Sequence, residues 1–393
     1  FNYICKNFLA TKHKIQQMQL TYKFSSILLS LIFTICFSSI AHVSFASEKE
    51  RFNVSETIMH HIQDAHEWHI TGDEHNGISV YLPVILLDND LKIFSSKHFY
   101  HGKKVKVIGD DKKSYQYMAG VGPAKGYALY HEKIYKLAQS ENQNEDSAGH
   151  LHFKKGHPHN TQPLDFSITK NVASLFFGAL LVIVLLLGAS RFYKSNGAVV
   201  PKGIARFIEP LILFIRDDIA KENIHHGKHL KYLPYLVTIF FFIWINNMLG
   251  LIPILPGGAN LTGNITVTAF LAICTLVITV FSGNKNYWKH IFFTPGVPLA
   301  LLPIMIPIEI VGIFTKPFAL MIRLFANITA GHIIVLALIS IIFIYENATW
   351  GLLSVPMALF ISVLEILVAF LQAYLFAMLS ALFIGAAVDE AHH

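Results

Sequence analysis

LALLPIMIPIEIVGIFTKPFALMIRLFANITAGHIIVLALISIIFIY, residues 299–345, is a run of about 47 residues with almost no polar interruption. As one straight α-helix it would measure roughly 70 Å, against a bilayer hydrocarbon core of about 30 Å. The run therefore reads as a membrane helix that tilts, bends near Pro303, Pro307 and Pro317, or divides. Inside it, Glu309, Lys316 and Arg323 recur at intervals of seven. Each step of seven turns a helix by only about 20°, so the three form one slowly drifting stripe. Asn327, one turn beyond Arg323, keeps to that side. One charge near the bilayer centre costs roughly 2.5–3.5 kcal/mol on insertion scales. The stripe is therefore expected to face protein or a water-filled crevice, with charges paired only for helix packing as the alternative.

Four more apolar stretches flank this one: Asn171–Ser190, Tyr232–Pro253, Asn264–Gly283 and Trp350–Val388. The expected fold is an all-α polytopic membrane protein with about five spans, the last two long and tilted. Composition agrees, being 53% hydrophobic and only 14% charged, where a soluble chain would be nearer a quarter charged. The charges are dense before about residue 170 and sparse after residue 232, which separates a polar front from a membrane-embedded domain over 166–393. A net charge of +6 raises nucleic acid as a partner, but no basic face with interleaved aromatics accompanies it.

The polar front, residues 47–165, contains short alternations at Ile78–Leu87 and Lys103–Ile108, so a small, partly β domain is expected there. Its Glu141–His159 stretch, rich in His, Gly, Asn and acids, reads as a flexible connector. Ahead of it, Lys23, the apolar run Ile27–Phe37 and the small-residue pattern Ser44-Phe45-Ala46 have the order of an export signal over 18–46. Met18 reads as the start, with residues 1–17 upstream of it. Cys5 and Cys36 fall in segments expected to be absent from the mature chain, so Cys274 remains alone and no disulfide framework is expected.

Basic residues orient the spans. Arg191, Lys194, Lys202, Arg206, Arg216, Lys221, Lys228 and Lys231 lie between the first and second, and Lys285 and Lys289 between the third and fourth. The loops 254–263 and 346–349 hold none. The first span then runs from outside to inside, which places the front domain in the periplasm and Asp389–His393 in the cytoplasm. Within the first basic loop, Ile204, Phe207, Ile208, Leu211, Ile215 and Ile219 fall at helical spacing, with Lys202, Arg206, Glu209, Arg216 and Lys221 between them. That is an amphipathic helix lying in the membrane surface, or one packed on a soluble partner.

In the last span Glu365 and Gln372 stand seven apart, with Ser362 just before them. The antiparallel topology puts Glu365 and His332 at similar depth and lets Gln372 reach the level of Arg323. An imidazole beside a carboxylate suits a proton relay, because histidine titrates near neutrality. A pair that merely satisfies itself is the alternative.

Met321-Ile-Arg-Leu-Phe-Ala-Asn-Ile-Thr-Ala-Gly-His332 resembles the signature of subunit a of F-type ATP synthases. Pro307-Ile-Glu-Ile, Lys316-Pro317, Leu371-Gln372-Ala373-Tyr374 and Asn246-Asn247-Met-Leu-Gly-Leu-Ile-Pro253 are similar to the same family in order and spacing. The resemblance covers roughly residues 165–388 and leaves out the exported domain. Some members carry an acid at the position of His332, a histidine at that of Glu365, or an acid at Gly250. The resemblance implies a bacterial inner-membrane stator subunit that passes protons to the carboxylates of a rotating c-ring. Arg323 would separate two half-channels, an outer one lined by Glu365, His332, Asn327 and Gln372 and a cytoplasmic one with Glu309 and Lys316 nearby, with Asn247 a further residue of the proton pathway. It further implies a peripheral-stalk subunit b and an F1 head as partners, and no cofactor or metal in this chain.

Two rival readings follow from other features. A secondary transporter with an intramembrane ion pair would show internal repeats or paired broken helices, and no convincing repeat is present. A membrane metalloprotease is suggested by His60, His61, His66-Glu67-Trp68-His69 and His75, but His66 and His69 stand three apart rather than the four of H-E-x-x-H. No phosphate-binding P-loop is present, so any ATP chemistry belongs to partners. H⁺ and Na⁺ both remain open as the coupling ion.

Overall fold

The computed structural model describes Ile58 and residues 63–71, 78–138, 149–197, 199–225, 227–252, 258–293 and 301–388. The expected leader, Met18, Cys5, Cys36, His60, His61, His75, residues 141–148 of the connector, Pro253 and Asp389–His393 lie outside the described residues.

Short antiparallel strands build the N-terminal domain. Strands β1 (Glu67–Thr71) and β2 (Ile78–Tyr81) form a pair. The alternation Ile78–Leu87 thus divides into β2 and β3 (Pro83–Asp88), and β3 pairs with β4 (Asp90–Ser95). Val84 and Leu86 of β3 point inward against Phe94, and against Phe99 of the short helix α1 (Lys97–Tyr100). A second sheet runs in order β5 (Lys103–Ile108), β6 (Ser114–Ala119), β7 (Tyr127–Tyr130) and β8 (Lys133–Lys136).

The expected connector is corrected from residue 149 onward. There, β9 (Phe153–Lys154) and β10 (His157–Pro158) form a hairpin. Its turn residues Lys155 and Gly156 have φ of 50° and 83°, as a two-residue mirror-image turn requires. Leu151 and Phe153 are buried, and the Phe153 ring stacks on Tyr115 at 4.4 Å. Two apolar residues at alternate positions are enough to anchor a segment whose polar composition reads as linker. Strand β11 (Leu164–Asp165) then returns to β3 just before the first span.

Five helical segments are long and apolar enough to cross a membrane. They comprise α2 (Lys170–Asn196), α4 (His229–Leu251), α5 (Ile265–Ser282), α7 (Leu302–Ile344) and α8 (Gly351–Val388). Between them lie α3 (Ile204–Phe214) and α6 (Lys285–Phe292). The run that opened the sequence analysis does not divide: α7 continues through Pro307 and Pro317. Pro303 occupies the first turn, where an amide has no helical partner, and helix packing in apolar surroundings tolerates the other two.

Helix α3 passes into a π-helical turn at Ile215–Ala220. Its apolar stripe splits between two environments. Ile208, Ile215 and Ile219 are buried in the common core with α2, α4 and α8. Phe207, 61% exposed, stays open to the surroundings. On α8, small residues recur every fourth position at Ala369, Ala373, Ala377, Ala381 and Gly385, which lets neighbouring backbones approach closely. A Cβ on Gly385 would lie 1.9 Å from the Asn223 carbonyl oxygen.

Candidate functional site

The site is built on the antiparallel seam between α7 and α8. Pro317, Leu320, Leu324 and Ile328 are the buried residues of α7 in this region. Their spacing of three and four makes one stripe, and it belongs to the same core as Ala373, Phe376 and Ala377 of α8. Two contacts fix the register. Lys316 Nζ lies 5.8 Å from the Phe383 ring centre, and the Glu365 carboxylate lies against Gly331. Midway between them, that register brings Arg323 to about the level of Tyr374.

Arg323 is next to buried Leu324 and is therefore rotated about 100° away from the seam. It is exposed, as are Lys316 and Asn327, while Glu309 is half-buried. Within its own chain, then, Arg323 is not enclosed, and any protein facing the stripe belongs to another chain. Among the described residues, Arg323 makes no ion pair and no hydrogen bond. The stripe Glu309–Lys316–Arg323–Asn327 forms an open edge of α7, not a buried network. Glu309 and Lys316 do not pair; the Glu309 charge acts instead on Tyr287 of α6, whose hydroxyl is pushed up mainly by burial.

His332 points the other way. Its Nε2 is buried, without a hydrogen-bond partner among the described residues, and lies 3.9 Å from where a Cβ on Gly250 of α4 would sit. Glu365 shares its level through Gly331, yet the two side chains make no direct bond among the described residues. Gln372, 3% exposed, is enclosed in the core. Asn247, 2% exposed, ties three segments together. Its Nδ2 donates to the Ala369 carbonyl at 3.2 Å, and its Oδ1 accepts from Thr262 Oγ1 at 2.6 Å. That is a positioning role: the end of α4, the following loop and α8 are held in one register.

The structure adds residues that sequence reasoning missed. Asn246 Oδ1, Asn260 Nδ2 and Thr329 Oγ1 are, like His332 Nε2, buried polar atoms without a hydrogen-bond partner. An orphaned buried polar atom costs about 1–3 kcal/mol, so four of them point to a wettable interior rather than a sealed core. Asn171 and Ser174 of α2 are buried too, and Gly178 lies against the Asn246 amide. The spacing Asn171–Ser174–Gly178 was legible as one small, polar helix face. Nothing local marked Asn260 or Thr329. All these groups lie on the half of the membrane helices that carries the N-terminal domain, since Lys170 is within electrostatic reach of His332. The chemistry available is therefore a fixed cation on an open edge, a titratable pair with polar lining on one side, and a carboxyl group with a lysine on the other.

Residues 172–385 match the family described as ATP synthase A chain, and residues 57–166 match a domain of unknown function. The chain is 53% identical over 230 residues to ATP synthase subunit a 2 of Chlorobaculum tepidum, covering 57% of this chain and 64% of that protein. It is 46% identical over 242 residues to ATP synthase subunit a of Chloroherpeton thalassium, covering 58% and 70%. With the subunit a of Myxococcus xanthus it shares 46% identity over 236 residues, covering 58% and 76%.

Proposed function

The chain belongs to the ATP synthase A chain family, and from that membership we propose that it is the proton-translocating stator subunit of the membrane sector. The N-terminal domain lies in the periplasm and the C-terminus in the cytoplasm of a bacterium. The open edge of α7 is the face presented to a ring of c subunits, each with one membrane-buried carboxylate. Protons reach that edge from the periplasm past Glu365, His332 and Gln372, between helices that Asn247 holds in register, with Asn327 at the rim. They leave toward the cytoplasm past Glu309 and Lys316. Subunit b and the F1 head complete the assembly.

The observation that carries this reading is Arg323: a cation displayed on an apolar helix with no partner among the described residues of its own chain. A guanidinium keeps its proton under all ordinary conditions and so cannot pass one across. It does favour the ionised form of a carboxylate brought beside it, by about 1.4 kcal/mol for each pKa unit. A rotor carboxylate therefore releases its proton on one side of Arg323 and is refilled on the other, and no continuous wire joins the two paths. Arg323→Ala is expected to abolish ATP-driven proton pumping in inverted vesicles while the detached head still hydrolyses ATP. Normal pumping by that variant refutes the assignment.

A further inference from the structure

We propose that the N-terminal domain is the proton intake of the periplasmic half-channel, with His66 as the group that takes protons from Asp165 and hands them to Glu132. The proposal rests on the outward orientation given above.

His66 is 2% exposed. Asp165 Oδ2 lies 3.4 Å from its Nε2, and Glu132 Oε2 lies 3.7 Å from its Nδ1. The two carboxylates thus address opposite edges of one ring. They cannot converge on a single metal ion, but an imidazole between two acids is the arrangement of a relay. The order of exposure gives the direction: the Asp165 side chain is 32% exposed and that of Glu132 only 10%. Tyr100 Oη donates to Glu132 Oε2 at 2.9 Å, which holds the inner acid in place.

Neither ring nitrogen makes a well-formed hydrogen bond. The two acids hold the ring between them, and neither contact is a fixed hydrogen bond, so each can shorten in turn as a proton passes. In each cycle the imidazolium gives its Nδ1 proton to the Glu132 carboxylate and becomes neutral. The neutral ring then exchanges tautomers, so that a bare Nε2 meets protonated Asp165 and the cation is restored. Glu132 passes its proton inward and Asp165 is recharged from the medium, so no group ends the cycle changed.

The domain is fastened so that this group cannot drift from the membrane helices. Asp64 Oδ1 accepts from the Asn171 amide and Asp64 Oδ2 from Thr169 Oγ1, both at 2.9 Å, while the Lys170 amide donates to the Ala65 carbonyl at 2.9 Å. The first turn of α2 is therefore capped by the two residues that precede His66. Lys170 lies within electrostatic reach of both Glu132 and His332. Buried Asn171 and Ser174 continue the polar lining inward.

The charged and titratable groups around His66 are Asp64, Glu67, Tyr100, Glu132, Asp165 and Lys170. Burial opposes a charge on the ring, but Asp165 and Glu132 outweigh it and push its pKa up to about 9. The intake thus stays loaded in mildly alkaline medium, where free protons are scarce. At pH 8.5 and a capture constant of about 10¹⁰ M⁻¹s⁻¹, bulk diffusion delivers only about 30 protons per second, against about 10⁴ at pH 6. Enzyme turnover of roughly 1–10³ per second falls between the two.

The test uses the assembled complex in proteoliposomes, with gradient-driven proton flux entering from the side of the N-terminal domain in weakly buffered medium. His66→Gln, which cannot relay a proton, is expected to run slower than the parent at pH 6 by a small factor only, because free protons are plentiful there and can reach the polar lining directly. At pH 8.5 it should run about tenfold slower, and a high concentration of mobile buffer should restore it. Parent-like flux at pH 8.5, or an equal loss at both pH values that buffer does not rescue, overturns the proposal. If His66→Gln fails to assemble, Asp165→Asn leaves the ring packing intact and should give the same buffer-rescued pattern; absence of that pattern also overturns it. Arg323→Ala separates the two levels of the argument. A pumping Arg323→Ala complex sinks the channel reading, whereas a dead one beside a parent-like His66→Gln sinks only the intake.

Discussion

Gly331→Ala tests where the Glu365 carboxylate has to sit. A methyl group at position 331 would lie 2.2 Å from Glu365 Oε1 and 3.0 Å from its Cδ. Ordinary van der Waals separation is about 3.5 Å, so the carboxylate must retreat by about 1 Å. It can do so, because the obstructing atom is the far end of a flexible side chain; an off-rotamer torsion costs about 0.5–1.5 kcal/mol. Replacing a mid-helix glycine by alanine favours the helix by about 1 kcal/mol. These terms nearly cancel, so the variant should insert and assemble at parental levels. Flux should fare worse, since a displacement of about 1 Å at a reacting group can cost about 10²-fold. The assay is passive proton conduction through membrane sectors stripped of the ATPase head, normalised to assembled complex. The expected result is a loss of about ten- to a hundredfold. On a Glu365→Ala background, Gly331→Ala should add nothing further. Parental conduction by Gly331→Ala, or a full additional loss on the Glu365→Ala background, refutes the reasoning.

Gly385→Ala should behave in the opposite way, because its methyl would meet the Asn223 backbone oxygen at 1.9 Å and backbone cannot swing aside; assembled complex should fall by an amount reflecting about 3 kcal/mol, measured as subunit recovered from membranes. Asn247→Ala removes the second hydrogen bond of the Ala369 carbonyl, which keeps its helical one, and leaves the buried Thr262 hydroxyl without its acceptor, so the thermal midpoint of the purified chain should drop by the equivalent of about 1–2 kcal/mol, while conduction per surviving complex stays near parental. The N-terminal domain should also show a pH-dependent stability. His66 has its pKa raised from 6.5 to about 9, so its stabilisation is complete below pH 6.5 and is lost as pH rises through about 9. Asp165 has its pKa lowered by His66 and Ser167 against the opposing effect of burial, so its contribution is lost on acidification. Resistance of the domain to proteolysis should decline from pH 6.5 to 9 in the parent and not in His66→Gln; a flat parental profile refutes the linkage.

The spans were legible because their signal is thermodynamic and additive: each apolar residue in Leu302–Ile344 votes for the same environment, and no tertiary detail reverses the sum. The Arg323 stripe was legible for the same reason, since charges stand out against that background and helical geometry fixes their common side. Its exposure was not legible. Whether a helix turns Arg323 or Leu324 toward its neighbour depends on which partner packs there, and the small-residue face of α8 selects the leucine. The hairpin at 153–158 was hidden because Lys155 is an unusual residue for a positive-φ turn. The orphaned atoms of Asn246, Asn260 and Thr329 could not be found by spacing, because three separate segments must fold together before they become buried.

The contrast between Asn247 and Arg323 carries the functional reading one step further. This chain engages Asn247 at both ends of its amide, Nδ2 donating to one segment and Oδ1 accepting from another. The same fold leaves Arg323, a far costlier group in an apolar setting, with no partner among the described residues. A fold selected only for its own stability would have placed a second polar residue on α8 opposite Arg323, or an apolar residue at 323. Leaving a guanidinium open is understandable if its partner arrives and departs, because a permanent intramolecular carboxylate would neutralise it and hold it fast. A carboxylate that must release its proton beside Arg323 and then move on needs an arginine that is unengaged between visits. A newly introduced acid within reach of Arg323, as in Asn327→Asp one helical turn away on the same exposed side, should therefore block pumping more severely than Asn327→Ala while preserving assembly. Equal pumping by the two variants would show that the openness of Arg323 has no functional role.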